Sequence, residues 1–373
     1  MSKLSIFLPN LNGGGAERVM VTLVNGFAHR GYCVDLVLAS KEGPYLQEVD
    51  PLVRVVDLRA GRVIKALWPL VRYLRSERPV AMLSAINHAN VVAVLARYLA
   101  RVNTRVVISE HSTISIEAQR ARVWNARSVY VLVPWVYRRA DGIVAVSRDS
   151  AHDLERFASL PAGSVQTIYN PFDLTRIRQL AAEPVPHPWL QPEQRRPVIL
   201  AIGRLTEPKD YPTLLRAFAL VRTHLNGRLL ILGEGELREE LAALAQSLGL
   251  GDDDFQMPGF VANPFAYLAR AAVFVLSSRW EGLPGALIEA MACGTPVVST
   301  DCPSGPREIL QEGRWGRLVA VGDVEALAQA IVSVLQTPRE QLPDVRQRAA
   351  DFAQDRAIDA YLATLGLPGW GQA

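Results

Sequence analysis

Residues 4–39, LSIFLPNLNGGGAERVMVTLVNGFAHRGYCVDLVLA, contain two short apolar runs separated by a glycine-rich loop and an amphipathic segment. Leu4–Leu8 and Val34–Ala39 have the length and composition of buried strands. The segment from about Ala16 to Arg30 predicts a helix, and Gly31 stands where a left-handed cap ends one. Apolar strands separated by helices indicate a parallel sheet that is covered by helices on both faces.

The same alternation of apolar strands and helices continues along the chain and begins again after a proline-rich segment, Glu183–Pro188. Proline at that density excludes helix and stiffens the chain, so this segment is interpreted as a linker. Two doubly wound, Rossmann-like α/β domains are expected, residues 1–183 and 184–349, with a ligand between them at the carboxyl ends of the strands. A last helix at about residues 350–373 is expected to pack back on the first domain. The further predicted strands are 80–84, 106–109, 143–146, 165–169, 198–202, 229–232, 273–276 and 297–300.

The composition is that of an ordinary globular protein. Of the 373 residues, 49% are hydrophobic and 21% are charged, which excludes disorder as the main state. No run reaches the roughly 18 apolar residues of a membrane span, and residues 4–8 are too short for a signal peptide. Three cysteines without metal spacing (Cys33, Cys293, Cys302) indicate neither a disulfide framework nor a zinc site. A cytoplasmic location is expected.

The net charge of +3 hides an asymmetry between the two halves. Residues 1–183 carry an excess of about eight basic side chains, and the remainder an excess of about five acidic ones. Two stretches, Arg62–Arg75 and Gln119–Arg139, interleave arginine or lysine with tryptophan and tyrosine. Such segments suit an interfacial helix on anionic lipid, although an ordinary sheet-covering helix explains Arg62–Arg75 equally well. For Gln119–Arg139 we favour a membrane or a lipid-linked acceptor. No nucleic-acid-binding module accompanies the charge, so nucleic acid is not the expected partner.

Three segments have patterns that suit a phosphorylated sugar ligand. The first is the loop Asn12–Arg18, where three glycines allow close approach of the backbone and the following helix offers free amides to an anion. A plain tight turn would need only one glycine. The glycine spacing is not that of a dinucleotide site.

The second segment is Gly203–Lys209, at the end of the first strand of the second half. Arg204 and Lys209 could bracket a diphosphate from this loop. As an isolated pair, they would more simply be two solvated surface charges.

The third segment, Ser277–Pro296, predicts a strand–loop–helix turn with a short helix of about nine residues between Pro284 and Gly294. Glu281 would lie just before this helix and Glu289 near its middle. At about 100° per residue, eight positions leave only about 80° between them, so both can face the same cleft. The amides of residues 282–285 suit phosphate oxygens, and the two carboxylates suit vicinal hydroxyls. Glu289 has apolar neighbours, and an unpartnered buried carboxylate would be costly, which favours a role in a site over a solvated helix face.

Together, Gly14–Arg18, Gly203–Lys209 and the Glu281-x7-Glu289 motif resemble glycosyltransferase family 4. These are retaining enzymes of the GT-B fold that use nucleotide-diphosphate sugars, and the resemblance covers nearly the whole chain. It implies that Glu289 binds the nucleotide ribose and that Glu281 contacts the donor sugar. Arg204 and Lys209 would stabilise the leaving diphosphate. Many relatives have Gln-Lys where this chain has Pro208-Lys209, a departure that keeps the cation.

The resemblance also implies the remaining members of the site. His111 follows the strand at 106–109 and matches a family position beside the donor sugar; a lone histidine is more often structural, but this placement favours the site. The remaining residues implied to contact the donor are Gly14, Gly15, Glu234, Gly235, Gly282 and Leu283.

No metal or cofactor is expected. Asp252–Asp254 follows a helix end and is interpreted as a solvated turn, and Arg204 with Lys209 could replace a magnesium ion electrostatically.

The predicted activity is transfer of a sugar, with retention, from a nucleotide donor to a lipid-linked or polysaccharide acceptor in cell-envelope synthesis. The enzyme would lie on the inner face of the membrane. A UDP-sugar is favoured over GDP-mannose by family habit. A sugar-nucleotide epimerase of the same fold, or a catalytically silent nucleotide-sugar-binding protein, remains open as an alternative.

Overall fold

The computed structural model describes residues 3–12, 14–120 and 124–368, with the backbone alone for residues 124–128. The chain forms two compact units. The N-terminal unit contains Met1–Pro171 and Gln354–Ala373, and the C-terminal unit contains Phe172–Ala353.

The N-terminal unit contains a parallel sheet of seven strands among the described residues, in the order β3-β2-β1-β4-β5-β6-β7. Its elements up to residue 171 are β1 (Lys3–Leu8), α1 (Gly15–His29), β2 (Cys33–Leu38), β3 (Arg54–Asp57), α2 (Leu67–Glu77), β4 (Ala81–Ala85), α3 (Asn87–Ala100), β5 (Arg105–Glu110), α4 (Ile114–Arg120), α5 (Trp124–Tyr137), β6 (Gly142–Ala145), α6 (Arg148–Phe157) and β7 (Gln166–Thr167). Strand order reverses between β1 and β4, and ligands of doubly wound sheets bind at the carboxyl ends of strands beside such a point.

The C-terminal unit contains a second parallel sheet, of six strands among the described residues, in the order β10-β9-β8-β11-β12-β13. Its elements are α7 (Leu174–Ala181), β8 (Val198–Ile202), α8 (Tyr211–His224), β9 (Arg228–Leu232), α9 (Arg238–Ser247), β10 (Phe255–Gly259), α10 (Pro264–Arg270), β11 (Val273–Leu276), α11 (Gly285–Cys293), β12 (Val297–Thr300), α12 (Pro306–Ile309), β13 (Arg317–Val319), α13 (Val324–Gln336) and α14 (Arg346–Ala349). Here the order reverses between β8 and β11. The predicted fold class, two Rossmann-like domains with parallel sheets, is confirmed.

The central strands are buried on both sides, as their continuous apolar sequences require. Every residue of β4 and β11 is buried, and separate apolar clusters cover the two faces of the first sheet. The strands that the sequence did not predict are β3, β10 and β13. All three lie at sheet edges, where a strand is short and half exposed and therefore lacks an apolar run.

The division between the units differs from the predicted one. It falls between Pro171 and Phe172 rather than at 183/184, because α7 packs against α10 and α11 of the C-terminal unit. The proline-rich segment Glu183–Pro188, which the sequence predicts to be a linker, is folded onto that unit. Val185 and His187 within it are buried, and so are Trp189 and Leu190 directly after it. Proline excludes helix and strand there, but it does not prevent apolar side chains from packing.

The chain returns to the N-terminal unit at Gln354 and forms α15 (Gln354–Thr364), which packs against α1. Gly26 lies inside α1 where the two helices touch, and a Cβ there would come 2.3 Å from Cδ1 of Ile358. Arg30 pairs with Asp355 and Asp359 at the edge of the contact. The last helix of the chain is therefore part of the first folded unit, over its described residues.

In the part of the chain that the structure describes, we find no helix with both the length and the apolar character needed to cross a bilayer.

Candidate active site

The loop and helix that follow β11 have the predicted form. Pro284 precedes α11, and Gly294 ends the helix in the left-handed conformation at φ 81°. The N-cap residue of α11, Pro284, makes no side-chain hydrogen bond to the first amides of the helix, and uncapped amides at a helix N-terminus suit an anion. The loop before α12 packs closely against this turn, because a Cβ on Gly305 (φ 103°) would come 2.5 Å from Cδ of Pro284.

Glu281 lies outside α11, so helical periodicity does not set its position relative to Glu289. Contacts fix it instead. One carboxylate oxygen, Oε1, lies 2.6 Å from Nζ of Lys209 and 2.6 Å from Oγ of Ser278. Its backbone amide donates to the carbonyl of Pro303. These bonds hold the carboxylate beside the Gly203–Lys209 segment, which is 72 residues earlier in the chain.

Lys209 reaches Glu281 because its loop is fastened to the end of β11. Ser277 Oγ donates to the carbonyl of Lys209 (2.7 Å), and the amide of Arg279 donates to that of Pro208 (2.8 Å). The Arg279 guanidinium also pairs with the buried carboxylate of Asp210 (3.2 Å). The lysine that the sequence singled out and the first glutamate of the motif are thus held together rigidly.

Arg204 lies on the same segment, and its side chain is exposed. The backbone around it is fixed by the neighbouring loop after β9. Leu205 N–H donates to the carbonyl of Glu234 (2.9 Å), and Leu237 N–H donates to that of Leu205 (3.1 Å). A Cβ at Gly235 would come 2.4 Å from the carbonyl oxygen of Leu205. Gly235 therefore has a packing reason in addition to any role with a ligand.

Of the other predicted donor-binding residues, Glu234 forms an exposed ion pair with Arg238 (3.2 Å), and Leu283 is buried. Gly282 lies half-buried in the loop before α11. Glu289 is half-buried and is the one charged residue in Gly285–Cys293, a helix covered by α7, α10 and α14.

The two glycines of the first loop lie at the N-terminus of α1. Gly14 is the N-cap, and no side chain caps the helix. A Cβ at Gly15 would meet nothing within 4 Å, so the fold of this unit does not itself require glycine there. The amides at this helix end are suited to an anion.

His111 follows β5, at the same edge of the N-terminal sheet as the loop after β1. Its Nε2 lies 3.0 Å from Oγ of Ser109, which in turn lies 2.9 Å from the hydroxyl of Tyr361. Its Nδ1 is shielded from solvent and has no hydrogen-bond partner among the described residues. Desolvation lowers the pKa of His111 to about 4, so the imidazole is neutral at pH 7.

Sequence reasoning missed Glu110, which is buried on the opposite face of β5 from Ser109. Its carboxylate accepts from the hydroxyls of Tyr137 (3.0 Å) and Ser112 (3.3 Å). Burial, with a smaller contribution from the charge of Glu117, raises the pKa of Glu110 to about 8. A glutamate that ends an apolar strand is a signal for a buried carboxyl, but the partner Tyr137 comes from α5 and only the fold reveals it.

Asp252–Asp254 forms a turn, as expected, and Asp254 pairs with Arg196 (2.9 Å) and Arg222 (3.1 Å). Over residues 3–12, 14–120 and 124–368, no three His, Cys, Asp or Glu side chains are grouped as metal ligands.

Comparison with known proteins supplies the family. Residues 13–176 match the sequence model described as Glycosyltransferase Family 4, and residues 196–337 match that of Glycosyl transferases group 1. The chain is 31% identical to the N-acetylgalactosamine-N,N'-diacetylbacillosaminyl-diphospho-undecaprenol 4-alpha-N-acetylgalactosaminyltransferase of Campylobacter jejuni, over 90% of this chain and 91% of that one. It is 28% identical to the amylovoran biosynthesis glycosyltransferase AmsD of Erwinia amylovora, over 84% of each.

Among solved structures, Anabaena HepE in complex with UDP superposes with a TM-score of 0.78 at 21% identity, covering 97% of this chain and 98% of that one. This likeness establishes the fold. The matches to both sequence models and to a relative of nearly full length agree with the motifs described above. The chain therefore belongs to the glycosyltransferases, with a family 4 domain followed by a group 1 domain.

Proposed function

We propose that this glycosyltransferase moves a hexosyl residue from a nucleoside diphosphate sugar to a lipid-linked or polysaccharide acceptor of the cell envelope, with retention at the anomeric carbon. The observation that carries the proposal is the Lys209–Glu281 pair, held beside the uncapped N-terminus of α11. A fixed cation and free helix amides suit a diphosphate, and a fixed carboxylate suits sugar hydroxyls. Arg204 adds a second cation on the same segment.

In this proposal the donor's C1–O bond breaks towards the diphosphate, whose developing charge Arg204 and Lys209 stabilise. The acceptor oxygen bonds to C1 on the same face, and its proton passes to a phosphate oxygen. Glu289 holds the ribose, and the backbone of Gly14, Gly15, Gly282 and Leu283 approaches the donor. Because the two cations neutralise the leaving group, we propose that the reaction needs no bound metal.

We assign no covalent nucleophile. Oε1 of Glu281 already accepts two hydrogen bonds, one of them from a cation, which reduces its nucleophilicity. Incubation with a slow fluorinated donor followed by intact-protein mass spectrometry should find no sugar attached to the protein. An adduct mapped to Glu281 would contradict this part of the mechanism.

The acceptor class is proposed from the names of the relatives, which include a transferase acting on a diphospho-undecaprenol and one for amylovoran biosynthesis. Acceptor-dependent release of nucleoside diphosphate tests the class of activity. An epimerase would interconvert the donor without an acceptor, and a silent binding protein would release no nucleoside diphosphate.

For the donor we propose a UDP-sugar, which is in keeping with the UDP bound in HepE, with GDP-mannose as the alternative.

Replacing Glu289 with alanine is expected to weaken binding of the nucleoside diphosphate by about 10- to 100-fold, because hydrogen bonds from hydroxyls to a carboxylate are lost. Calorimetric titration with UDP and GDP measures the change. Glu325→Ala, at an exposed position of α13, is the matched control. An unchanged dissociation constant in Glu289→Ala would remove the ribose assignment.

We further propose that the N-terminal unit meets an anionic membrane through α2, α3 and α5, which pack side by side in that order. Large apolar side chains on these helices are exposed, including Trp68 (60%), Tyr98 (70%) and Trp135 (70%). Arg72, on α2, and Arg138, in the turn directly after α5, are exposed as well. Of the second basic stretch, Arg122 and the side chains of Trp124 and Arg127 lie outside the described residues.

The double variant Trp68→Ser/Trp135→Ser is expected to reduce binding to phosphatidylglycerol vesicles by about tenfold or more, since two amphipathic anchors are lost. Flotation at physiological salt measures it, with phosphatidylcholine vesicles as the uncharged comparison. Phe260→Ser, which changes an aromatic residue of the C-terminal unit that is 81% exposed, is the control. If the wild-type protein does not float with anionic vesicles, the acceptor side of the enzyme does not use this surface.

A further inference from the structure

The imidazole of His111 stands at the end of a row of three hydrogen-bonding groups from distant parts of the chain. Tyr361, on α15, lies 252 residues after Ser109, and the two hydroxyl oxygens are 2.9 Å apart. Ser109 Oγ is also 3.0 Å from Nε2 of His111. Both hydroxyl residues are buried, Tyr361 to 1% exposure and Ser109 completely. All three belong to the N-terminal unit.

Proton counting fixes the direction of these bonds. Burial raises the pKa of Tyr361 far above its ordinary value, so its hydroxyl keeps its proton. Ser109 Oγ is its one hydrogen-bond partner in the part of the chain that the structure describes. If Tyr361 donates to Ser109, then Ser109 can donate onward to Nε2. The opposite direction would leave both the phenolic O–H and the Nδ1 lone pair of His111 without a partner, whereas this direction leaves only an Nδ1–H group unpaired.

A nitrogen that accepts a hydrogen bond carries no proton. In a neutral imidazole the proton then resides on the other nitrogen, Nδ1. Nδ1 has no partner among residues 3–12, 14–120 and 124–368, and the atom itself is shielded from solvent. Because the residue as a whole is half-exposed, a bound molecule that contacts the ring would supply the missing acceptor. We infer that Tyr361 and Ser109 are positioning residues that hold His111 as its Nδ1–H tautomer, so that His111 donates a hydrogen bond to a substrate oxygen instead of removing a proton.

The inference deepens the proposed function and rests on it, because it assumes that His111 contacts the substrate. A neutral N–H donor suits a sugar hydroxyl or a phosphoryl oxygen on which charge develops during transfer. The proposed arrangement also gives α15, which carries Tyr361, a part in the reaction. Tyr361 packs with Ile358 and Leu362 in the core of the N-terminal unit, so its ring and its hydroxyl have separable roles.

The test is ¹⁵N NMR of the histidine side chains in the full-length protein, with the signals of His111 identified by their loss in His111→Gln. The wild-type spectrum should show a neutral ring with the proton on Nδ1. Tyr361→Phe keeps the ring and deletes the hydroxyl, and Ser109→Ala removes the middle group. In both variants the Nε2–H form should appear, and kcat should fall by about 10- to 100-fold with a smaller change in KM.

Tyr32→Phe is the matched control. The Tyr32 hydroxyl also joins the C-terminal segment to the rest of the N-terminal unit, by donating to the carbonyl of Pro368, and it takes no part in the bonds of His111. It should leave both the tautomer and kcat unchanged.

A wild-type proton on Nε2 would overturn the inference, and so would Tyr361→Phe with wild-type tautomer and kcat. An unchanged kcat in His111→Ala would instead remove the proposed role of His111 in the reaction. The tautomer measurement would still test whether the hydrogen bonds from Tyr361 to Ser109 and from Ser109 to His111 hold the proton on Nδ1.

Discussion

Alanine at Lys209 or at Arg204 is expected to lower kcat by about 10²- to 10³-fold, which corresponds to about 2.7–4 kcal/mol in the barrier. In the proposed mechanism the diphosphate gains charge as the donor bond breaks, and Arg204 and Lys209 would stabilise that charge from one segment. The effect should appear mainly in kcat, because the charge is greater in the transition state than in the bound donor. Steady-state kinetics with a saturating donor measures it.

Two comparisons separate this effect from damage to the fold. Arg222→Ala removes a cation of the same unit that pairs with Asp254, away from the Lys209–Glu281 pair, and should leave kcat unchanged. Glu281→Gln keeps the bond to Ser278 and discharges the partner of Lys209. If Lys209→Ala and Arg204→Ala both retained wild-type kcat with intact melting temperatures, the diphosphate assignment would be wrong.

The second large effect concerns stability and comes from Glu110. Its pKa is about 8 in the folded protein against 4.5 for an ordinary glutamate, so the folded state holds a proton that the unfolded state has already lost. The contribution of Glu110 to the free energy of unfolding is therefore fully present below about pH 4.5, and it is lost as the pH rises through 8. Between pH 5 and pH 9 the loss is about 4 kcal/mol.

Glu110→Gln keeps the shape and the hydrogen-bonding capacity of the side chain but cannot ionise. We therefore expect the stability of this variant to fall much less between pH 5 and pH 9. Its melting temperature should exceed that of the wild type at pH 9 and approach it at pH 5. Glu42→Gln, at an exposed position of the same unit, should follow the wild-type curve closely. Parallel stability curves for wild type and Glu110→Gln would show that Glu110 is not held protonated.

The central strands and the helices that follow them could be predicted because burial on both faces dictates their composition. Val273–Leu276, α11 and the cap at Gly294 agree with the prediction residue by residue. β3, β10 and β13 could not be predicted, because whether a segment forms an edge strand depends more on pairing with the neighbouring strand than on its own sequence. The segment 183–188 shows the opposite error, since proline content indicates irregular backbone without saying what that backbone packs on.

In the site, sequence patterns identified the candidate residues but not their partners. Nothing in Gly203–Lys209 shows that Lys209 pairs with Glu281, because that contact depends on β8 and β11 being neighbours in the sheet. Helical periodicity was the wrong reason for relating Glu281 to Glu289, since Glu281 precedes the helix. Tyr137 and Tyr361 look like ordinary core residues in the sequence, and only their hydroxyls distinguish them.

We propose above that the C-terminal unit binds a diphosphate through Arg204 and Lys209. The most direct measurement compares dissociation constants for nucleoside diphosphate and monophosphate pairs (UDP and UMP, GDP and GMP, ADP and AMP) in wild type and in Arg204→Ala/Lys209→Ala. For the preferred base, we expect the wild type to bind the diphosphate at least about tenfold more tightly, and the double variant to lose that difference while still binding the monophosphate. Equal affinity for diphosphate and monophosphate in the wild-type protein would contradict the claim.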